Sequence, residues 1–170
     1  MRIYLSSPFQ YSRADCIWKD QVRSVLASVN PDIETVDPCP DNVLEEALAD
    51  QLLEENNLLG YYSFCSNIVE SDLAMLNKCD GVFVYLPPDA ITFGTTHEIV
   101  HALNRNIPIV LVTPDKIKNI SRWLWGLLGP NRIFSDINEA TRVLAKRIVV
   151  SDGGNVNDEV YYPGWSKTNR

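Results

Sequence analysis

Short apolar runs alternate with amphipathic segments over most of the chain. Five of these runs have the length and composition of β-strands, and they span residues 2–5, 33–36, 81–86, 107–113 and 132–134. The fourth run has almost no polar interruption, which is typical of a parallel strand that is buried on both faces. Between the runs, apolar residues recur at helical spacing. The pattern therefore predicts strands that alternate with helices.

The predicted helices cover about residues 12–29, 42–59 and 66–78, a segment that starts near Thr96, and residues 136–149 with Asp136 as the N-cap. Gly60 and the aromatic stretch 61–64 are predicted to connect the second helix to the third. This alternation favours a doubly wound parallel α/β sheet, and five strands suit the flavodoxin-like order 2-1-3-4-5. We expect a single domain over residues 1–150. Residues 151–170 are expected to form a tail that packs on this domain or on a neighbouring subunit.

The composition, 45% hydrophobic and 22% charged residues, is that of an ordinary globular protein. The net charge of −7, without a Lys/Arg-rich run, argues against nucleic acid as a partner. No apolar run approaches the roughly 20 residues that span a bilayer, and we expect no signal peptide ahead of the first strand. The four cysteines are widely spaced and form no Cys-x-x-Cys. We therefore expect a reduced, cytoplasmic protein with no membrane partner.

Residues 79–101 contain the most informative pattern in the chain. A strand ends at Pro87-Pro88, a polar loop follows, and a helix is predicted to start near Thr96, so that Glu98 lies in its first turn. Open α/β sheets bind their ligands at this edge, the carboxyl ends of the strands. A helix N-terminus lowers the pKa of a nearby carboxyl, and an ionised carboxylate in a cleft can act as a nucleophile. The alternative is a Glu98 that only complements the helix dipole.

A second carboxylate, Asp72, lies on the helix that leads into the third strand and could reach toward Glu98. Two carboxylates are what the chemistry of glycosidic bonds usually requires. Small hydroxyl residues are concentrated in the loops after strands one and three, where they could donate to a sugar hydroxyl or a phosphate; they are Ser6, Ser7, Thr92, Thr95 and Thr96. Helix charge for Asp72, and capping or turn formation for the hydroxyl residues, are the alternatives.

His97 to His101 also reads His-Glu-x-x-His, a sequence that on a helix places two zinc ligands one turn apart. The chain has only these two histidines, so a third ligand would have to be a carboxylate such as Glu139. The motif also opens a helix directly after a Gly-Thr loop in a parallel α/β chain. We therefore expect no metal site and disfavour a zinc peptidase. Because the loop after the first strand lacks Gly-x-Gly-x-x-Gly, NAD binding in the Rossmann manner is disfavoured. No cofactor is expected.

Three segments resemble the nucleoside 2-deoxyribosyltransferase family, and the resemblance extends from Arg2 to about Val149. The segments are residues 3–9, Ile-Tyr-Leu-Ser-Ser-Pro-Phe; Ser71-Asp72-Leu73 followed by residues 79–82; and residues 94–98, Gly-Thr-Thr-His-Glu, followed by Ala102 and Pro108. By this resemblance, Glu98 is the nucleophile that attacks C1′ of a 2′-deoxyribose, and Asp72 lies beside it. The substrate-binding residues are then expected to be Tyr4, Ser6, Ser7, Phe9, Asp89, Thr92, Gly94 and Thr95.

The resemblance also implies a mechanism and an assembly. Glu98 would form a covalent deoxyribosyl-enzyme as the first base leaves, and a second free base would then attack with net retention at C1′. The expected partners are therefore a deoxynucleoside and a free nucleobase. Members of the family are usually homo-oligomers whose sites borrow residues from a neighbouring subunit, and Asn119 and Trp123 are the candidates here.

The chain departs from the transferases at one position. They usually carry an Asp six residues before the catalytic Glu, where it handles the base, whereas this chain has Thr92. The related 2′-deoxynucleoside 5′-monophosphate N-glycosidases have a small hydroxyl residue there that helps to bind the 5′-phosphate. Asp89, three residues earlier, is an alternative residue for reaching the base. We expect a transferase, with the N-glycosidase as the alternative and a non-catalytic nucleotide-binding domain of the same fold as a third reading.

Overall fold

The structure is a computed structural model that describes residues 1–8, 16–39, 43–87, 90, 93–114 and 120–151. Its sheet has five strands: β1 (Arg2–Ser6), β2 (Glu34–Val36), β3 (Gly81–Tyr85), β4 (Ile109–Val112) and β5 (Ile133–Phe134). The strands pair in parallel in the order β2-β1-β3-β4-β5. The predicted flavodoxin-like topology is therefore confirmed.

Six α-helices accompany the sheet in the described residues: α1 (Ile17–Val29), α2 (Val43–Glu54), α3 (Leu58–Leu76), α4 (Phe93–Asn104), α5 (Arg122–Leu128) and α6 (Ile137–Ser151). A short 3-10 helix, Pro130–Arg132, precedes β5. The predicted cap of the last helix is confirmed, because Asp136 Oδ1 accepts from the backbone N–H of Glu139 at 2.7 Å. None of these helices is both long and apolar enough to cross a membrane.

Two apolar clusters fill the two faces of the sheet. On one face, α1 and α6 pack against side chains such as Leu5 and Phe83. On the other, α3, α4 and α5 pack against side chains such as Tyr4 and Val82. Successive residues of a strand point to opposite faces, so β1 sends Leu5 toward α1 and sends Tyr4 and Ser6 toward α4. This alternation places two hydroxyl groups on the α4 face at the carboxyl end of β1.

The predicted connection at residues 61–64 is wrong, because these residues lie inside α3. The chain instead breaks at residues 55–57, where Asn56 adopts a positive φ of 53°. Asn57 then caps α3 by accepting from the backbone N–H of Gly60 at 3.0 Å. A Cβ on Gly60 would lie 2.7 Å from Nδ2 of Asn57. Gly60 therefore leaves room for the cap at the start of a helix and does not end one.

The predicted start of α4 near Thr96 is also wrong, because the helix begins at Phe93. Glu98 is therefore in the second turn and not in the first. The field of a helix dipole falls off within the first turn. The helix N-terminus consequently has little influence on the carboxyl of Glu98, and its immediate contacts decide its state.

Candidate active site

The candidate site is built around Glu98 at the carboxyl end of β1. The hydroxyl of Tyr4 donates a hydrogen bond to Oε1 of Glu98 at 2.6 Å. The hydroxyl of Ser6 donates to Oε2 of the same carboxylate at 2.5 Å. Both distances are in the range of hydrogen bonds from a hydroxyl to a charged acceptor. Strand β1 thus holds both oxygens of a carboxylate that α4, the helix after β3, supplies.

Burial dominates the electrostatics of Glu98, which is only 9% exposed. Desolvation raises its pKa above the ordinary value of a glutamate, while the hydrogen bonds from Ser6 and Tyr4 and the charge of His97 oppose this rise. The net shift is upward. The expectation that a helix N-terminus lowers the pKa of Glu98 is therefore wrong, and the physical reason is desolvation.

Tyr4 is fully buried and remains a hydrogen-bond donor. Burial raises the pKa of its phenol far above the usual range, and the charges of Glu98 and Asp72 raise it further. The effect of Asp72 on Tyr4 puts this half-buried carboxylate of α3 within electrostatic reach of the phenol that binds Glu98. The charges of both predicted carboxylates therefore act on Tyr4, and its hydroxyl is hydrogen-bonded to Glu98.

The other expected site residues fall into two groups. Ser7, Gly94, Thr95 and Trp123 are described, whereas Phe9, Asp89, Thr92 and Asn119 lie outside the described residues. The hydroxyl oxygen of Ser7 is buried and has no hydrogen-bond partner within the described part of the chain. Thr95 is buried in the first turn of α4, while Trp123 in α5 is 73% exposed. A Cβ built on Gly94 meets no atom of the described residues within 4 Å.

The two histidines of α4 take different positions. The side chain of His97 is exposed, and the imidazole Nε2 of His101 lies 2.8 Å from Oδ1 of Asn77 at the end of α3. Glu98 between them turns inward to Tyr4 and Ser6. Within the described ranges, no group of three or more His, Cys, Asp or Glu side chains could hold a metal ion. The contacts of Glu98 and His101 therefore give no support to the hypothesis of a zinc peptidase.

The sequence did not predict that Tyr4 and Ser6 would contact Glu98. Both were expected to line the substrate pocket. The available signal was their spacing, because hydroxyl residues at i and i+2 at the end of a buried strand face the same side and can hold one group between them. Asp80, directly before β3, has a structural contact: its Oδ2 accepts from the backbone N–H of Arg2 at 2.7 Å, which ties the start of β3 to β1.

Fold and site together define the class of the protein: a flavodoxin-like α/β domain with a buried carboxylate at the ligand-binding edge of its sheet. The family model of nucleoside 2-deoxyribosyltransferase matches residues 3–129, and the chain belongs to that family. The match includes β1, the described part of the β3–α4 unit and α5. A comparison with curated proteins gave no match.

Proposed function

We propose that the protein is a nucleoside 2′-deoxyribosyltransferase that exchanges the base of a 2′-deoxynucleoside. The observation that carries the proposal is Glu98, a nearly buried carboxylate whose two oxygens are held by the hydroxyls of Tyr4 and Ser6. A carboxylate that is desolvated and held in this way is a more reactive nucleophile than one in water. Membership in the family supports the choice of a nucleoside as the substrate.

The proposed reaction has two displacements. An oxygen of Glu98 attacks C1′, the C1′–N bond breaks, and its electron pair goes to the departing base, which takes up a proton. A nitrogen of the second base then attacks C1′, the ester bond to Glu98 breaks, and the proton of the incoming base is released. Two inversions at C1′ give net retention. Asp89 is the sequence candidate for exchanging that proton with the base.

Tyr4 acts in this scheme as a fixed donor and not as a base. Its raised phenol pKa keeps it protonated throughout the pH range in which proteins are folded. The hydrogen bond to Oε1 therefore orients the carboxylate before attack, and Asp72 disfavours ionisation of the phenol. The raised pKa of Glu98 predicts that transfer declines on the acidic side at a pH above the ordinary glutamate value.

A second function, hydrolysis of 2′-deoxynucleoside 5′-monophosphates, has its own support. Thr92 replaces the usual aspartate of the transferases, and the buried hydroxyl of Ser7 has no partner in the described residues. Buried hydroxyls are normally hydrogen-bonded, so a substrate oxygen is a suitable partner for Ser7. Both a sugar hydroxyl and a 5′-phosphate offer such an oxygen.

Product analysis separates the two functions. The protein is incubated with a deoxynucleoside and a different free base, and separately with each deoxynucleoside monophosphate, and the products are resolved by chromatography. A new nucleoside is expected; free base with deoxyribose phosphate from the second incubation would instead establish the hydrolase. Glu98→Ala serves as the control, and it is expected to lower either activity by roughly 10³-fold or more. Full activity in this variant would overturn the assignment of the nucleophile.

A further inference from the structure

Ser6 and Ser7, two neighbouring hydroxyl residues near the site, make different contacts. Its side chain is fully buried at the last position of β1, and its hydroxyl is engaged with Oε2 of Glu98. Ser7, the next residue, has a hydroxyl without a partner in the described residues. The two serines therefore differ: Ser6 is hydrogen-bonded to the carboxylate, whereas the buried hydroxyl of Ser7 makes no hydrogen bond to a described residue.

We propose, resting on the function proposed above, that Ser6 is a positioning residue whose hydroxyl keeps Glu98 ionised and fixed in the orientation needed for attack on C1′. The geometry requires a donor at this point. Glu98 is 9% exposed and Ser6 is not exposed at all, so bulk water cannot readily replace the hydroxyl at Oε2. A buried carboxylate oxygen without a donor carries the full cost of its desolvation.

The surrounding charges do not make Ser6 redundant. Tyr4 supplies a neutral donor to Oε1. Asp72 and Cys79 lie close enough to affect the pKa of that phenol. A negative charge at either position would oppose the ionisation of Glu98. Burial raises the pKa of the Cys79 thiol to about 11, so this group is neutral. His97 favours the ionised carboxylate from an exposed position on α4. The hydrogen bonds from Ser6 and Tyr4 both lower the pKa of Glu98, and Ser6 supplies the one at Oε2, whereas Tyr4 contacts Oε1.

Direct titration of Glu98 tests the proposal without any substrate. The protein is labelled with ¹³C at the glutamate carboxyl groups, and Glu98→Gln identifies the resonance of Glu98. In Ser6→Ala the titration midpoint of Glu98, followed by the chemical shift of this resonance, is expected at higher pH than in the wild type. Ser6→Cys, which keeps a weak donor of similar size, is expected between the two. An unchanged or lowered midpoint in Ser6→Ala would overturn the proposal, and Ser6→Cys decides if Ser6→Ala does not fold.

Thr141→Val is the matched control. Thr141 also has a fully buried hydroxyl, but it donates to the backbone oxygen of Ile137 at 2.6 Å within α6, on the opposite face of the sheet. Its loss is expected to leave the midpoint of Glu98 unchanged. A shift as large as that of Ser6→Ala would mean that any lost buried hydroxyl disturbs the site, and a specific role for Ser6 would then be rejected.

The pH profile of base exchange gives the second readout. At the acidic end, kcat/KM of Ser6→Ala is expected to fall about tenfold or more below that of the wild type, because a charge-assisted hydrogen bond is lost. The gap should narrow at higher pH, where Glu98 is ionised in both proteins. A shifted titration without any base exchange in the wild type would uphold the effect of Ser6 and reject the proposed function. Base exchange with an unshifted titration would reject only the role of Ser6.

Discussion

The two sides of the sheet each bury an ionisable side chain, and they stabilise it differently. On the side of α1, Lys19 is 1% exposed and its Nζ lies 2.7 Å from Oδ2 of Asp37, which follows β2. On the side of α4, Glu98 is 9% exposed and receives its hydrogen bonds from the neutral hydroxyls of Tyr4 and Ser6. The first pair combines opposite charges, whereas the second arrangement holds a charge without cancelling it.

Under the proposed function, the difference separates a structural ion pair from the contacts that hold the nucleophile. Asp37 also accepts from the backbone N–H of Cys39 at 3.2 Å and lies 3.4 Å from Arg23, so the pair fixes the exit of β2 to α1. Lys19 and Asp37 lower each other's reactivity because each neutralises its partner. Hydroxyl donors do not neutralise the negative charge of Glu98. The pKa of Glu98 therefore still depends on burial and on the hydrogen bonds that the carboxylate accepts. The predictions below test whether the two sides can be disturbed independently.

The largest effect is expected from Glu98→Gln, which should lower activity by roughly 10³-fold while the fold is retained. The free energy of unfolding of Glu98→Gln, in contrast, should rise relative to that of the wild type as the pH increases. Because burial raises the pKa of Glu98 in the folded state, the folded protein binds this proton more tightly than the unfolded chain does. The wild type therefore loses this stabilisation as the pH rises from the ordinary glutamate pKa, about 4.3, through the folded-state value.

Urea unfolding of both proteins between about pH 4 and pH 8 measures this difference, since the contributions of other groups cancel in the subtraction. The free energy of unfolding of Glu98→Gln relative to the wild type should increase with pH and then level off. A relative stability that instead decreases with rising pH would show that the folded state favours the ionised carboxylate.

Lys19→Met should produce the next largest effect, and on stability alone. Removing one partner leaves Asp37 with a less compensated charge, so we expect a loss of about 2–4 kcal/mol in the free energy of unfolding. Arg23→Met is the control, because the Arg23 side chain is 42% exposed and its pairs should contribute under about 1 kcal/mol. Equal losses in the two variants, measured by urea unfolding, would show that burial does not distinguish these ion pairs.

The smallest effect concerns the cap of α3, the helix that carries Asp72. Asn57→Ala should cost about 1 kcal/mol because the N–H of Gly60 loses its acceptor. Gly60→Ala alone should gain little, since the new Cβ would displace the cap, but in the Asn57→Ala background it should recover about 1 kcal/mol. Strictly additive changes in thermal or urea unfolding would contradict the close contact between Asn57 and residue 60.

Much of the fold could be predicted because the strand pattern is strong. The apolar run before Thr113 is nearly uninterrupted, and the strands alternate with amphipathic segments; both features predict a parallel sheet. The predicted strand order 2-1-3-4-5 agrees with the structure. The boundary errors share one cause: Gly60 and the Gly94-Thr95 pair looked like breaks, yet both lie in the first turn of a helix. At Gly60 the absence of a Cβ leaves room for the side chain of Asn57, and this need depends on the three-dimensional position of the neighbour.

For the candidate site, the sequence pointed to Glu98 and Asp72 but did not predict that desolvation raises the pKa of Glu98. A helix N-terminus can be recognised in a sequence, whereas desolvation depends on what packs around the carboxyl once the chain is folded. The contact of Ser6 with Oε2 needed the register of β1 against β3, in which Ser6 pairs with Val84, together with the position of α4. Such a contact joins residues 92 positions apart, and no local pattern contains it.

The lengths of the outer strands have a consequence for aggregation. The sheet ends in β2, with three residues, on one side and in β5, with two residues, on the other. An exposed edge recruits foreign strands in proportion to the run of unpaired backbone groups it presents, and very short edge strands present few. A second copy could add only two or three residues of pairing at either edge. Growth of an extended intermolecular sheet from the native state is thereby discouraged.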